Sequence, residues 1–187
     1  KFKGEATRLE IGDGNVFREA CTVHRGTIQD NSITKIGSHN LFMVNVHVAH
    51  DVIVADNCIL ANDTNVAGHV HIGDNAILGG ASQVHQFVQI GSHSMCGTGS
   101  IVLKDVPAYI MANGNSAKPH GINSEGLKRR GFTSDDISAL RKAYKFVYRK
   151  GLTLEEALQE LDALLEQSQS VALFIESLNS STRGIIR

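Results

Sequence analysis

The chain is short of the residues that fill an ordinary mixed core. Only 5% of its 187 residues are aromatic and only two are proline, while 42% are hydrophobic, so small aliphatic side chains must supply most of the interior. Its three cysteines, Cys21, Cys58 and Cys96, have no close pairing and no CxxC spacing. That leaves neither a disulfide framework nor a thiolate metal set, and reads as reduced thiols in a cytoplasmic protein. Neither sign of charge dominates, with 18 Lys and Arg against 19 Asp and Glu. Nonspecific binding to nucleic acid or adhesion of the whole molecule to membranes is therefore not expected. No apolar run approaches the roughly eighteen residues of a membrane span and no secretion or lipidation signal is seen, so solubility is expected.

What the chain does contain is a period of six. Ile36 to Pro107 divides into consecutive hexads whose first positions are Ile36, Phe42, Val48, Val54, Leu60, Val66, Ile72, Leu78, Val84, Ile90, Cys96 and Val102. An amphipathic helix would repeat at about 3.6 residues, so each hexad reads instead as one short strand plus a tight corner. Three hexads close a triangular coil. The expected fold is mainly β, a left-handed parallel β-helix with first and fifth positions pointing inward and small second positions, such as Gly73 and Gly79, at the corners. Hexads at Ile11, Phe17 and Val23 keep the pattern. Seven extra residues, Gln29 to Lys35, then break the register and are expected to emerge as a corner loop, a common place for function. Nothing in Lys1 to Glu10 resembles a polar cap, so further coils are expected before Lys1.

An eighteen-residue coil stacks the hexads of Val48, Val66 and Val84, which contain His50, His69 and His85; His47 closes the hexad before them. Four imidazoles along one edge form a candidate site. The remaining histidines, His24, His39, His71, His93 and His120, read as surface residues, and Asn57, Asn62 and Asn75 as corner residues that tolerate left-handed backbone. The two prolines, Pro107 and Pro119, bracket an exit from the last coil. From Gly121 the period becomes helical, giving an expected division into a β-helix over 1–120 and a C-terminal helical domain over 121–187. Capping signals at Thr133 with Asp136 and at Thr153 with Glu156 open two helices, and a third is expected over Val171 to Leu178. Arg141, Lys145 and Arg149 share one helix face, either a solvated stripe or a dock for an acidic partner.

Several stretches resemble the UDP-N-acetylglucosamine 3-O-acyltransferase family: His47-Val48-Ala49-His50-Asp51, Ala67-Gly68-His69, Val84-His85-Gln86-Phe87, Gly126 to Phe132 and Ser181 to Ile185. The resemblance runs in order along essentially the whole chain. It implies transfer of a 3-hydroxyacyl group from acyl carrier protein to the sugar 3-hydroxyl of UDP-N-acetylglucosamine, at the start of lipid A synthesis, in a homotrimer with active sites between subunits. The chemistry suits the residues, since a sugar hydroxyl attacking a thioester needs a base poised near neutrality. By position in the family motifs, His50 is that base, Asp51 its orienter and the backbone N–H of Gly68 the oxyanion donor. His47, His69, His85 and Gln86 are implied to hold the substrates. Asn123, Glu125, Arg129 and Arg130 are implied to bind the nucleotide, and Lys1 to contact substrate. Met95 and Thr98 match positions that set acyl length, and Thr98 in place of a glycine implies a chain on the order of ten carbons.

No protein-bound cofactor is implied, because the acyl donor brings its own phosphopantetheine. A metal hydratase on the same fold would need a His pair five residues apart, which the nine histidines do not provide, so metal is not expected. Two further readings stay open: the N-acyltransferase of the same pathway or a variant acting on an amino-sugar nucleotide, and a noncatalytic solenoid scaffold.

Overall fold

A computed structural model describes residues 3–187, so Lys1 lies outside the described residues. Each hexad contributes a two-residue strand, and strands eighteen residues apart pair in parallel. Ile36 aligns with Val54, Val54 with Ile72 and Ile72 with Ile90 on one wall of the prism. Phe42, Leu60, Leu78 and Cys96 align on the second wall, and Val48, Val66, Val84 and Val102 on the third. The third wall, which positions the candidate site, stacks Thr22–Val23, His47–Val48, Asn65–Val66, Gln83–Val84 and Ile101–Val102.

The inward pattern holds throughout. First positions from Ile36 to Val102 are buried, as are fifth positions such as Val46, Val52, Thr64, Val70 and Ser100. Stacking leaves each coil edge hydrogen-bonded to the next, so β-branched and small side chains can fill a narrow triangular interior with few aromatics. Burial pushes the thiols of Cys58 and Cys96 up to about 12, and all three cysteines are free.

The corners differ in detail from the expectation. It is the fourth position of the hexad that turns the chain: His39, Asn45, Asp51, Asn57, Asp63, His69, Asn75, Ala81, Phe87 and His93 all have φ between 57° and 66°. Asn62 is therefore not a left-handed corner; its neighbour Asp63 is. Second positions are small for another reason, close contact with the next coil. A Cβ on Gly79 would lie 2.6 Å from the backbone nitrogen of Thr98.

The insertion is also narrower than expected. Ile11 pairs with Ile36, a separation of 25 residues against 18 elsewhere, but Ile33–Ile36 is strand. The seven extra residues are absorbed by a turn around residues 28–32, and Ile33 to Lys35 belong to the wall.

After the last hexad, Ile110–Asn113 continues the second wall and Lys118–Ile122 folds back antiparallel upon it. The segment between the prolines is thus a hairpin. Helices α1 (Ser124–Arg129), α2 (Ser134–Tyr148), α3 (Leu154–Leu165) and α4 (Ala172–Asn179) follow, with a 3-10 turn at Gln169–Val171 leading into α4. Reciprocal capping boxes open α2 and α3 at Thr133/Asp136 and Thr153/Glu156. Their buried stripes, Ile137, Leu140, Tyr144 and Val147 on α2 and Ala157, Leu161 and Leu164 on α3, join the same hydrophobic core as the prism. No helix among the described residues is long and apolar enough to cross a membrane.

Candidate active site

The site lies on the corner that follows the third wall. Eighteen-residue stacking makes two columns there, His50 over Gly68 and Gln86, and Asp51 over His69 and Phe87. The coil-to-coil bonds are His69 N–H to His50 O and Phe87 N–H to Gly68 O, both 3.1 Å. On a regular strand adjacent side chains point to opposite faces. At φ +59°, Asp51 breaks that alternation, and its carboxylate reaches the ring of its own neighbour: His50 Nδ1 lies 2.9 Å from Asp51 Oδ2.

Asp51 is almost fully buried, whereas His50 keeps 38% of its side chain exposed. The carboxylate also accepts the Thr27 N–H on Oδ1 at 2.8 Å and the Thr27 hydroxyl on Oδ2 at 2.6 Å. Burial raises the Asp51 carboxyl, but the bonds from Thr27 and His50 outweigh it and hold the group below its ordinary value. His69 stands edge-on to His50 with centroids 5.2 Å apart and lies flat on Phe87 at 4.5 Å. Its Nδ1 faces Asp30 Oδ2 at 3.2 Å, so the insertion turn reaches the site. Gly68 lies against His50: a Cβ there would come within 2.7 Å of His50 Cε1.

His50, Asp51 and His69 form the one cluster among the described residues whose ligand atoms, within 4.8 Å of one another, could share a metal ion. Both Asp51 oxygens are already engaged by Thr27 and His50, which is the arrangement of a hydrogen-bonded dyad. A cleft of about 690 Å³ opens beside His50, lined also by Val23, His24, Arg25, Thr27 and Ile28. Its walls explain why His24, expected to be a plain surface residue, belongs to the neighbourhood: it stands edge-on to His47 at 4.8 Å. Burial, with His24 adding to it, lowers the pKa of His47.

The other residues singled out divide between corners. His85 and Gln86 are exposed on the His50 corner, one coil beyond His69, and His85 Nδ1 meets the Gln86 carbonyl at 3.1 Å. Thr98, exposed, sits at the corner preceding the third wall, and Met95, half-buried, lies on the strand of the second wall that leads into it. The residues expected to bind the nucleotide lie elsewhere. Asn123 is buried, capping α1 through Gly126 N–H and donating to His93 O at 3.0 Å. Arg130 donates to Asn75 O at 3.0 Å, and Glu125 pairs with Lys128 at 2.8 Å. His93 and Asn75 are on the corner between the first and second walls, so one chain does not bring Asn123, Glu125, exposed Arg129 and Arg130 to His50. Of the residues met here, Asp30 lies in the insertion and Phe87 in one of the resembling stretches, whereas nothing in the sequence marks Thr27.

Comparison with known proteins meets this geometry. Proteins from Aeromonas salmonicida and Tolumonas auensis, named as UDP-N-acetylglucosamine O-acyltransferases using acyl carrier protein, are 62% and 63% identical over all 187 residues, which cover 71% of each. The chain belongs to the UDP-N-acetylglucosamine O-acyltransferase family. The family model described as Udp N-acetylglucosamine O-acyltransferase, domain 2, matches residues 105–186. Solved acyltransferases from Acinetobacter baumannii and Moraxella catarrhalis superpose with TM-scores of 0.97 and 0.98 at 54% and 55% identity, over the whole chain and 72% and 73% of theirs. Both the resemblance and the β-helix with its helical C-terminal part are borne out, and the protein is an O-acyltransferase.

Proposed function

We propose that the protein moves a 3-hydroxyacyl group from acyl carrier protein to the 3-hydroxyl of UDP-N-acetylglucosamine, the opening step of lipid A synthesis, with His50 as general base. The observation that carries this is the His50–Asp51 pair at 2.9 Å beside an open cleft. With Nδ1 engaged by the carboxylate, Nε2 takes the proton of the sugar hydroxyl as its oxygen attacks the thioester carbonyl. Asp51 orients the ring and stabilises the imidazolium that forms. The tetrahedral oxyanion is met by the Gly68 N–H, for which no described residue supplies an acceptor. Collapse expels the phosphopantetheine thiolate, which recovers the proton from His50. No acyl-enzyme and no protein-bound cofactor enter this scheme.

His47, His69, His85 and Gln86 bind the substrates around that corner. The acyl chain follows the third wall towards Met95 and Thr98, where the Thr98 side chain limits it to about ten carbons. Because the nucleotide residues Asn123, Glu125, Arg129 and Arg130 sit at a different corner, they serve the His50 of a neighbouring subunit, and the working form is a homotrimer in the cytoplasm. Exposed Arg141 and Lys145 on α2, with Arg149 at its C-cap, suit docking of an acidic carrier protein. The decisive test is His50→Ala, assayed with UDP-N-acetylglucosamine and 3-hydroxyacyl carrier protein. A loss of about 10² to 10⁴ fold in kcat is expected; near-normal turnover would remove His50 as the base.

A further inference from the structure

Two of the three hydrogen bonds on the Asp51 carboxylate come from a residue outside the recognised motifs. Thr27 donates its N–H to Oδ1 and its hydroxyl to Oδ2, the same oxygen that faces His50 Nδ1. The hydroxyl is itself oriented, since the Gln29 N–H points at Thr27 Oγ1 at 3.4 Å, leaving the O–H free to aim at the carboxylate. Gly26 fixes the approach: a Cβ there would collide with the backbone of Ile33, so the chain before Thr27 lies directly against the strand. From the opposite side the fully buried Thr34 hydroxyl accepts the Asp51 N–H at 2.8 Å. Asp51 is thus held by its backbone from one threonine and by its side chain from the other. His69 Nε2, at 4.0 Å from Oδ2, is too far to share the task.

We infer that Thr27 is a positioning residue for acyl transfer, its hydroxyl and N–H holding the Asp51 carboxylate in the orientation that presents Oδ2 to His50. The inference rests on His50 being the base. A carboxylate next to a corner has rotational freedom about its own side chain, and a dyad formed by adjacent residues has no other element to align it. The Thr27 O–H also shares the charge of Oδ2, which moderates how strongly that oxygen favours the imidazolium.

The experiment is Thr27→Val, which keeps size and the backbone N–H but removes the hydroxyl, compared with Thr27→Ser, which keeps the hydroxyl. Thr27→Val is expected to lower kcat roughly 10-fold to 100-fold with KM for both substrates nearly unchanged. Its acid limb in the pH–rate profile should move to higher pH, because Oδ2 then carries more charge towards His50. The other charged groups around His50, namely His69 with Asp30, and Glu5, His24 and Arg25 in the cleft, are the same in both enzymes. Thr27→Ser should restore both rate and profile. If Thr27→Val does not fold, Thr27→Ala carries the same expectation. A Thr27→Val or Thr27→Ala enzyme with wild-type kcat and an unmoved acid limb would overturn the inference while His50→Ala is inactive. An active His50→Ala would instead overturn the reading on which it stands.

Discussion

Asp51 is a buried acid whose lowered pKa has a consequence for stability. A group held below its unfolded value stabilises the fold above about pH 3.9 and loses that contribution as pH falls through its folded value. The difference in thermal stability between wild type and Asp51→Asn should therefore be constant above pH 5 and shrink below about pH 4, measured by calorimetry. A difference that persists at low pH would mean that the carboxylate's charge is not what the bonds from Thr27 hold. A second expectation at this scale concerns Thr98. Thr98→Gly removes the side chain at the corner preceding the third wall and should shift selectivity towards longer acyl donors by a few methylenes, each worth about 0.8 kcal/mol when buried. An unchanged profile across a panel of acyl carrier proteins would dispose of it. His50 and His69 could be read from the chain because eighteen-residue stacking puts their hexads together. Thr27 could not: counting back eighteen from Asp51 arrives at Ile33, and the insertion turn hides the true neighbour.

At the scale of elements, Asp105 joins the last coil to the chain's end. Buried at 2% exposure, it accepts Gln89 N–H on Oδ1 at 2.8 Å and the Ser181 hydroxyl on Oδ2 at 2.7 Å. Its backbone pairs with the tail as well, Asp105 N–H to Gly184 O at 3.0 Å and Ile186 N–H to Asp105 O at 2.9 Å. The Ser181 to Ile185 motif is therefore a docking strip for α4. Asp105→Ala should raise amide exchange in residues 181–186 well before the β-helix opens, as hydrogen exchange would show; unchanged protection there would mean that packing of Ile185 and Ile186 suffices. Helices α2 and α3 were legible because capping boxes announce them and their apolar stripes keep the helical period. Helix α1 was not, since six residues with one buried side chain, Leu127, carry no period. The hairpin escaped notice for a related reason: Lys118–Ile122 includes Pro119 and Gly121 and buries little.

For the whole molecule, the separation of His50 from Arg129 makes a prediction about assembly. A trimer with shared sites should be rescued by mixing. Arg129→Ala and His50→Ala enzymes, each impaired alone, should regain part of the activity when co-expressed, because some interfaces then combine an intact His50 with an intact Arg129. Mixtures no more active than their components would place both residues' work within one chain.

The walls of the prism also set an arithmetic for change along the chain. Because the hexads run three to a circuit, losing or gaining eighteen residues within them would displace α1 to α4 along the axis by about 4.8 Å and keep their azimuth. A gain of six would swing them through a third of a revolution, carrying Arg129 and the Asp105 strip to the wrong edge. The turn around 28–32 shows the third course: a circuit longer by seven residues is taken up at a vertex, and every wall above it keeps its heading. Length variation in such a chain should thus come in eighteens or at vertices.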